Sequence, residues 1–196
     1  MKKALFLVFV LHISYFLIAQ EAPEGLFINS KAPDFKAKDQ NGNEIRLKEA
    51  LKKGKVVLVF YRGQWCVDCN KFLRKLQDSL SFITDMGATL IAVTPELPEN
   101  IVKTVEKTFA AYPILYDEDL KIMKAYDVEF EVPPNVLERY HNSGIKVDEN
   151  NGKKNGNFLP VPAVYVIDKE FYIKYRFFQP DYKKRPSVKE ILDNLK

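Results

Sequence analysis

Cysteine is nearly absent from this chain: 196 residues hold two of them, with two histidines and one tryptophan. A zinc site wants four ligands, and beyond the two cysteines only His12 and His141 are on offer, which counts against a metal. The formal net charge is only +4, and no basic block suggests a nucleic-acid partner. After the N-terminal segment no second apolar run is long enough to span a membrane. Internal repeats and a second domain are absent as well. What is present is one domain's length of chain with 46% hydrophobic residues, ample for a core.

Met1 to Ala19 reads as a secretory signal. Lys2 and Lys3 form the basic start, Ala4 to Ile18 is almost wholly apolar, and Ala19 is a small residue suited to cleavage before Gln20. Leu17 at the minus-three position is less typical. An uncleaved anchor is the alternative, the stretch being near the short limit for a span. No cysteine lies near the cut to accept a lipid. The expectation is therefore a signal over 1–19 and one domain over 20–196, exported to the periplasm or the extracellular space, where a disulfide persists. Loss of Lys2 and Lys3 takes the net charge from +4 to +2.

Both cysteines sit in Trp65-Cys66-Val67-Asp68-Cys69, after the apolar run Val56 to Tyr61 and before Asn70 to Leu76, which reads as a helix. A Cys-x-x-Cys at a strand-to-helix junction is a thioredoxin-type redox arrangement. Unpaired N–H groups and the positive end of the helix dipole favour an anion at the first thiol. That lowers its pKa and makes it a nucleophile. A second thiol one turn on can attack the mixed disulfide and release the partner. The motif thus has a polarity. Cys66 attacks and is expected to be exposed; Cys69 resolves and is expected to be buried against the face of Leu73 and Leu76. A purely structural disulfide is a weaker reading, because so short a loop constrains the unfolded chain little. Arg62 could stabilise the Cys66 thiolate or be a solvated surface residue, and Asp68 acts against the thiolate. Trp65 could shield the thiol and offer an apolar docking surface, or simply pack beside it. His141 reads as a loop residue.

Along the chain, Pro33-Asp34-Phe35 and Glu44 to Leu47 flank Asn41-Gly42, a tight-turn signal for a hairpin. A short helix over Leu47 to Leu51 is closed by Gly54. Val56 to Tyr61 and Ala88 to Val93 read as strands buried on both faces. Between them Leu73, Leu76, Leu80 and Ile83 mark one helix that stops near Gly87. Further elements are a helix over Glu99 to Ala110, a strand over Ile114 to Tyr116 and a short helix over Asp119 to Tyr126. Strands over Val164 to Ile167 and Tyr172 to Phe177 follow, then a last helix with Ser187 and Glu190 as its capping box. The pattern predicts an α/β fold with a central mixed sheet covered by helices. Val132 to Leu159 does not fit: it is long, polar and turn-rich, and reads as an insertion before a proline-rich loop, of the kind that is often functional or mobile.

Phe60-Tyr61-Arg62-Gly63-Gln64-Trp65-Cys66-x-x-Cys69 resembles the redoxin branch of the thioredoxin fold, the alkyl hydroperoxide reductase/thiol-specific antioxidant-like group often called peroxiredoxin-like. Ala32-Pro33-Asp34-Phe35, Ala88 to Pro95, Tyr112 to Asp117, Leu159 to Asp168 and Pro180-Asp181-Tyr182-x-x-Arg185 resemble further parts of that family. The peroxiredoxin pattern Pro-x-x-x-Thr-x-x-Cys is not met: Gly63 stands at the Thr place and Val59 at the Pro place. Nor does Val56 to Phe60 carry the buried carboxylate that thioredoxin has in the strand before its motif.

The resemblance implies a thioredoxin-like fold. It also implies that Pro162, favoured over Pro160 because it directly precedes the strand, is a cis proline facing the cysteines, an ordinary trans turn proline being the alternative, and that the backbone of Val161 binds an extended substrate. The expected function is thiol–disulfide exchange by a Cys66–Cys69 pair on protein or small-molecule disulfides, without a cofactor, with an unknown redox partner. A thiol-dependent peroxidase, with Cys66 peroxidatic and Cys69 resolving, is the alternative. A third reading is an exported binding module that keeps a redox fold and uses the insertion as its contact surface.

Overall fold

The computed structural model describes residues 22–196, so the expected signal segment lies outside the described residues. Strand β1 (Lys36–Lys38) and β2 (Glu44–Arg46) form the expected hairpin. Asp39 ties its turn by accepting from the N–H groups of Asn41 and Asn43. Helix α1 (Leu47–Lys53) then leads through Gly54 into β3 (Val56–Phe60). Gly54 is required by crowding, since a Cβ there would lie 1.7 Å from the carbonyl oxygen of Gly87.

All five residues of β3 are buried, as its unbroken apolar run predicts. The next elements are α2 (Val67–Asp78), α3 (Leu80–Asp85), β4 (Thr89–Thr94), α4 (Pro98–Thr108) and β5 (Ile114–Tyr116). A 3-10 turn (Glu118–Leu120) and α5 (Lys121–Ala125) follow. The single helix expected after the cysteines is broken at Ser79, whose backbone leaves the helical region (φ −110°, ψ 10°). The break turns the chain so that Ile83 is fully buried like Leu73 and Leu76.

The main sheet has the order β5-β4-β3-β8-β9, where β8 is Ala163–Ile167 and β9 is Ile173–Phe178, with β6 and β7 in the segment between α5 and β8. Strands β3, β4 and β5 are parallel; β8 and β9 run antiparallel to their neighbours. Side chains of β3 alternate between two cores, as a period of two demands. Val57 and Val59 join Cys66, Cys69, Leu73 and Leu76 on one face. Val56, Leu58 and Phe60 join Leu47, Leu51, Tyr126 and Tyr165 on the other.

The 132–159 segment differs from its expectation as a turn-rich insertion. It is closed at its base by antiparallel β6 (Glu129–Glu131) and β7 (Phe158–Pro160) and holds two helices, α6 (Pro134–Asn142) and α7 (Val147–Asn155). Pro134 stands in the first turn of α6, where proline lacks only a donor that would be unpaired anyway. Two asparagines of the polar stretch, Asn151 and Asn155, are buried, while Lys153 and Lys154 between them are exposed. Asn155 Nδ2 donates to the carbonyls of Pro95 (2.7 Å) and Asp117 (3.0 Å), and Asn151 Nδ2 to those of Gly156 and Phe158. Asn155 thus ties α7 to the loops after β4 and β5, and Asn151 ties it to the chain leading into β7. The last helix, α8 (Val188–Asp193), starts as predicted, with Ser187 accepting from the N–H of Glu190.

Among the described residues no helix is long and apolar enough to cross a membrane.

Candidate active site

Cys66 is the N-cap of α2, where the chain leaves the buried end of β3 through Tyr61, Arg62 and Gly63. Its Sγ accepts from the N–H of Cys69 at 3.2 Å, so an orphan donor of the first helical turn points at the sulfur as expected. The two cysteines are joined as a disulfide, with Cα atoms 5.2 Å apart.

The expectation that Cys66 is exposed is corrected: it is 2% exposed, and Cys69 0%. Arg62, itself only 5% exposed, lies on the Cys66 sulfur and donates to it from Nη2 at 3.2 Å. Its guanidinium carbon is 5.0 Å from the centre of the Trp65 ring and 4.0 Å from that of Tyr182. Its Nη1 donates to Tyr140 Oη at 2.8 Å. Arg62 is thus no surface arginine. Burial lowers its pKa, and the neighbouring Tyr140 and Tyr182 act in the opposite sense.

A second guanidinium serves the second sulfur. Arg185 Nη2 donates to Cys69 Sγ at 3.3 Å, while its Nη1 donates to the carbonyls of Tyr182 and Lys184, both at 2.6 Å. Burial, and then the charge of Arg62, pull its pKa down to about 10, opposed by Asp68 and Asp181. Arg185 therefore remains a cation at neutral pH. Asp68, expected to work against the thiolate, is half-buried and its charge acts on both arginines.

Glu96 follows β4 and is fully buried behind the motif, accepting from the N–H of Gln64 through Oε2 at 2.6 Å. Its Oε1, like Trp65 Nε1, has no hydrogen-bond partner among the described residues. Burial pushes the Glu96 carboxyl up to about 8, against the pull of the Gln64 N–H. It is therefore mostly protonated at neutral pH. A raised folded-state pKa gives stability that is complete below about 4.5 and is lost as pH rises through 8. Glu96→Gln should remove that dependence: urea unfolding between pH 5 and 9 should show wild type losing up to about 1.4 kcal/mol per pH unit relative to the variant. Parallel curves would refute the protonated state.

Trp65 is half-buried, its ring centre 5.2 Å from that of Tyr140 on α6. It packs with Val132, Val147 and Leu159, so the 132–159 segment is a wall of the site. His141 is on α6 rather than in a loop, and is exposed. Val161 and Pro162 are buried immediately before β8. The antiparallel β3–β8 register ends with Phe60 opposite Ala163, the residue directly after Pro162. The expected cis bond is corrected, because every described peptide bond is trans. The extended course is fixed by two pairings: the Val161 N–H donates to Val128 O at 2.7 Å, and Pro162 O accepts from the Gln179 N–H at 3.2 Å. With its N–H engaged, Val161 has only its carbonyl left for a substrate strand.

The structure brings the expected Cys66, Cys69, Arg62 and Trp65 together with Tyr140, Tyr182, Arg185 and Glu96, four residues that sequence reasoning did not place beside them. Tyr182 and Arg185 stand in a tail pattern recognised by resemblance alone, and no spacing relates them to the cysteines. Tyr140 and Glu96 carry no sequence signal of proximity at all.

A helix-capping dithiol pair on a five-stranded mixed sheet with helices on both faces is a thioredoxin-like redoxin. The chain belongs to the AhpC/TSA family, whose model matches residues 28–176. It is 29% identical to thiol-disulfide oxidoreductase ResA of Bacillus subtilis over 106 residues, which are 54% of this chain and 58% of that relative. To ResA of Geobacillus kaustophilus it is 28% identical over 65% of this chain and 74% of the relative. Peroxiredoxin Bcp of Bacillus subtilis is 31% identical over 52% of this chain and 64% of its own length. In fold it is similar to peroxidoxin BcpB from Mycobacterium tuberculosis (TM-score 0.66, 20% identity, covering 86% of this chain and 95% of that one).

Proposed function

We propose that the protein is an exported thiol–disulfide oxidoreductase in which Cys66 exchanges with a substrate disulfide and Cys69 resolves the mixed disulfide. The observation that carries this is the Cys66 sulfur at the helix start, accepting from the Cys69 N–H and from Arg62. Both donors stabilise a thiolate there, and a thiolate is the attacking species. In the reduced protein the Cys66 thiolate attacks one substrate sulfur and expels the other as a thiol or thiolate. Cys69, as its thiolate, attacks Cys66 Sγ and releases the second substrate sulfur. The substrate gains two electrons and the pair becomes the disulfide. The similarity to ResA supports this reading.

Access is the remaining requirement, because the disulfide is covered by Arg62 and the Tyr182 segment. Tyr182 is itself 40% exposed and leads a tail whose displacement would uncover Cys66. The Trp65 surface and the Val161 carbonyl are proposed to receive the substrate chain. Export rests on the Met1–Ala19 segment; Edman sequencing of protein from the periplasmic or culture fraction should begin near Gln20. The enzymatic reading is tested by dithiothreitol-driven insulin reduction, in which wild type should accelerate precipitation and Cys66→Ser should not. Equal rates would sink it.

One observation favours a peroxidase as the second reading: a sulfur only 2% exposed is open to a molecule the size of hydrogen peroxide more readily than to a protein disulfide. The similarity to Bcp points the same way, while Gly63 in place of a hydroxyl residue points against it. Stopped-flow oxidation separates the two; a rate no faster than that of a free thiol of equal pKa would remove the peroxidase.

A further inference from the structure

Each sulfur of the pair has its own guanidinium, and the cation on the second sulfur is the less expected. Cys69 is fully buried, and burial by itself disfavours a thiolate. Arg185 acts in the opposite sense. It comes from a tail segment 116 residues further along the chain, and Nη2 meets Cys69 Sγ at 3.3 Å. The guanidinium is not free to turn away. Its other terminal nitrogen is held by two carbonyls of its own tail, and its carbon lies 5.9 Å from the centre of the Phe72 ring. A hydrogen bond from a fixed cation to a thiolate is far stronger than one to a neutral sulfur. Arg62 lies close enough to lower the pKa of Arg185 through its charge, so the two cations share one small region. Asp68 and Asp181 offset part of that charge, but the side chains that donate to the two sulfurs are both cations.

We propose that Arg185 is a catalytic residue that holds Cys69 as a thiolate, and that with Arg62 it poises the Cys66–Cys69 couple as an oxidant that donates its disulfide to substrate dithiols. This rests on the exchange reading above and sets its favoured direction: the exchange written there runs in reverse, from protein disulfide to substrate dithiol. A dithiol–disulfide couple is oxidising when its reduced form is the stabilised one. In the forward step a substrate thiolate attacks Cys66 Sγ. The Cys66–Cys69 bond breaks and its electron pair stays on Cys69 beside Arg185. A leaving thiol of lower pKa departs faster. The second substrate thiol loses its proton to solvent, attacks the substrate sulfur of the mixed disulfide, and expels Cys66 as a thiolate beside Arg62. The substrate dithiol has lost two electrons and the protein pair has gained them. A further round requires a disulfide-bearing oxidant of higher potential.

The experiment is equilibration of the full described domain in glutathione redox buffers, with the fraction oxidised read by alkylation and mass. Arg185→Met should shift the equilibrium constant at least tenfold toward the protein disulfide, about 30 mV more negative. Arg185→Lys, which keeps a point charge but not the fork, should shift it less in the same direction. A second measurement isolates the sulfur. In Cys66→Ala, the 240 nm absorbance of Cys69 should titrate well below the ordinary cysteine range, and adding Arg185→Met should raise that midpoint. Equilibrium constants within a factor of two for wild type and Arg185→Met would overturn the proposal, as would a Cys69 midpoint that does not move. If Arg185→Met does not fold, Arg185→Lys decides, and an unchanged potential overturns it. These are equilibrium quantities. Insulin turnover unaffected by Cys66→Ser sinks the enzymatic reading instead, whatever the potentials.

Discussion

Replacing Arg62 with methionine should raise the pKa of Cys66 by about one to two units and lower its thiolate fraction at neutral pH, by about tenfold per unit only where that pKa lies above about 7. The guanidinium is nearly buried, donates directly to the sulfur, and is held between the Trp65 and Tyr182 rings with Tyr140 as its second partner. A cation held there from three sides is little screened by solvent, unlike a surface charge. Methionine fills similar space without the charge. The measurement is the 240 nm absorbance of Cys66 against pH in a Cys69→Ala background, since alkylation rates alone would mix thiolate content with access. A midpoint that stays put would show that the helix-start N–H groups suffice.

Gly63→Ala should destabilise the protein by about 2–3 kcal/mol. The added Cβ would lie 2.5 Å from Glu96 Oε1, 2.6 Å from its Cδ and 2.7 Å from Trp65 Nε1. A flexible surface chain could swing aside, but Glu96 is fully buried and fixed by the Gln64 N–H at 2.6 Å. Trp65 is backed by Tyr140. The strain therefore has to be taken up by the loop that carries the cysteines. Urea unfolding at pH 6 measures it; a change below about 0.5 kcal/mol, the range of an ordinary surface substitution, would mean that the loop yields freely. The position that resemblance would reserve for threonine is thus occupied by a residue whose lack of a side chain makes room for Glu96.

How far the sequence could be read depended on whether the signal was local. The buried run of β3, the turn at Asn41-Gly42 and the Ser187 cap each follow from a few adjacent residues, and each stands where it was expected. The cysteine placement was legible for the same reason. The 132–159 segment was not, because Asn and Gly are turn formers in isolation and their side-chain bonds to Pro95 and Asp117 depend on distant backbone. The apolar stripe of α6, Val136, Leu137 and Tyr140, is interleaved with polar residues and faces the site, not the main sheet. The burial of Cys66 was hidden because the groups around it come from three separate stretches.

That last fact bears on when the site exists. Tyr140 lies 78 residues after Arg62, and Arg185 lies 116 after Cys69. A chain is made from its N-terminus at about 5–20 residues per second, so both thiols emerge seconds before the arginine that meets the second of them. Until the tail docks, Cys69 has no guanidinium and Cys66 has only part of its cover. The full arrangement around the two sulfurs therefore forms only after the segment carrying Tyr182 and Arg185 has been made and has docked.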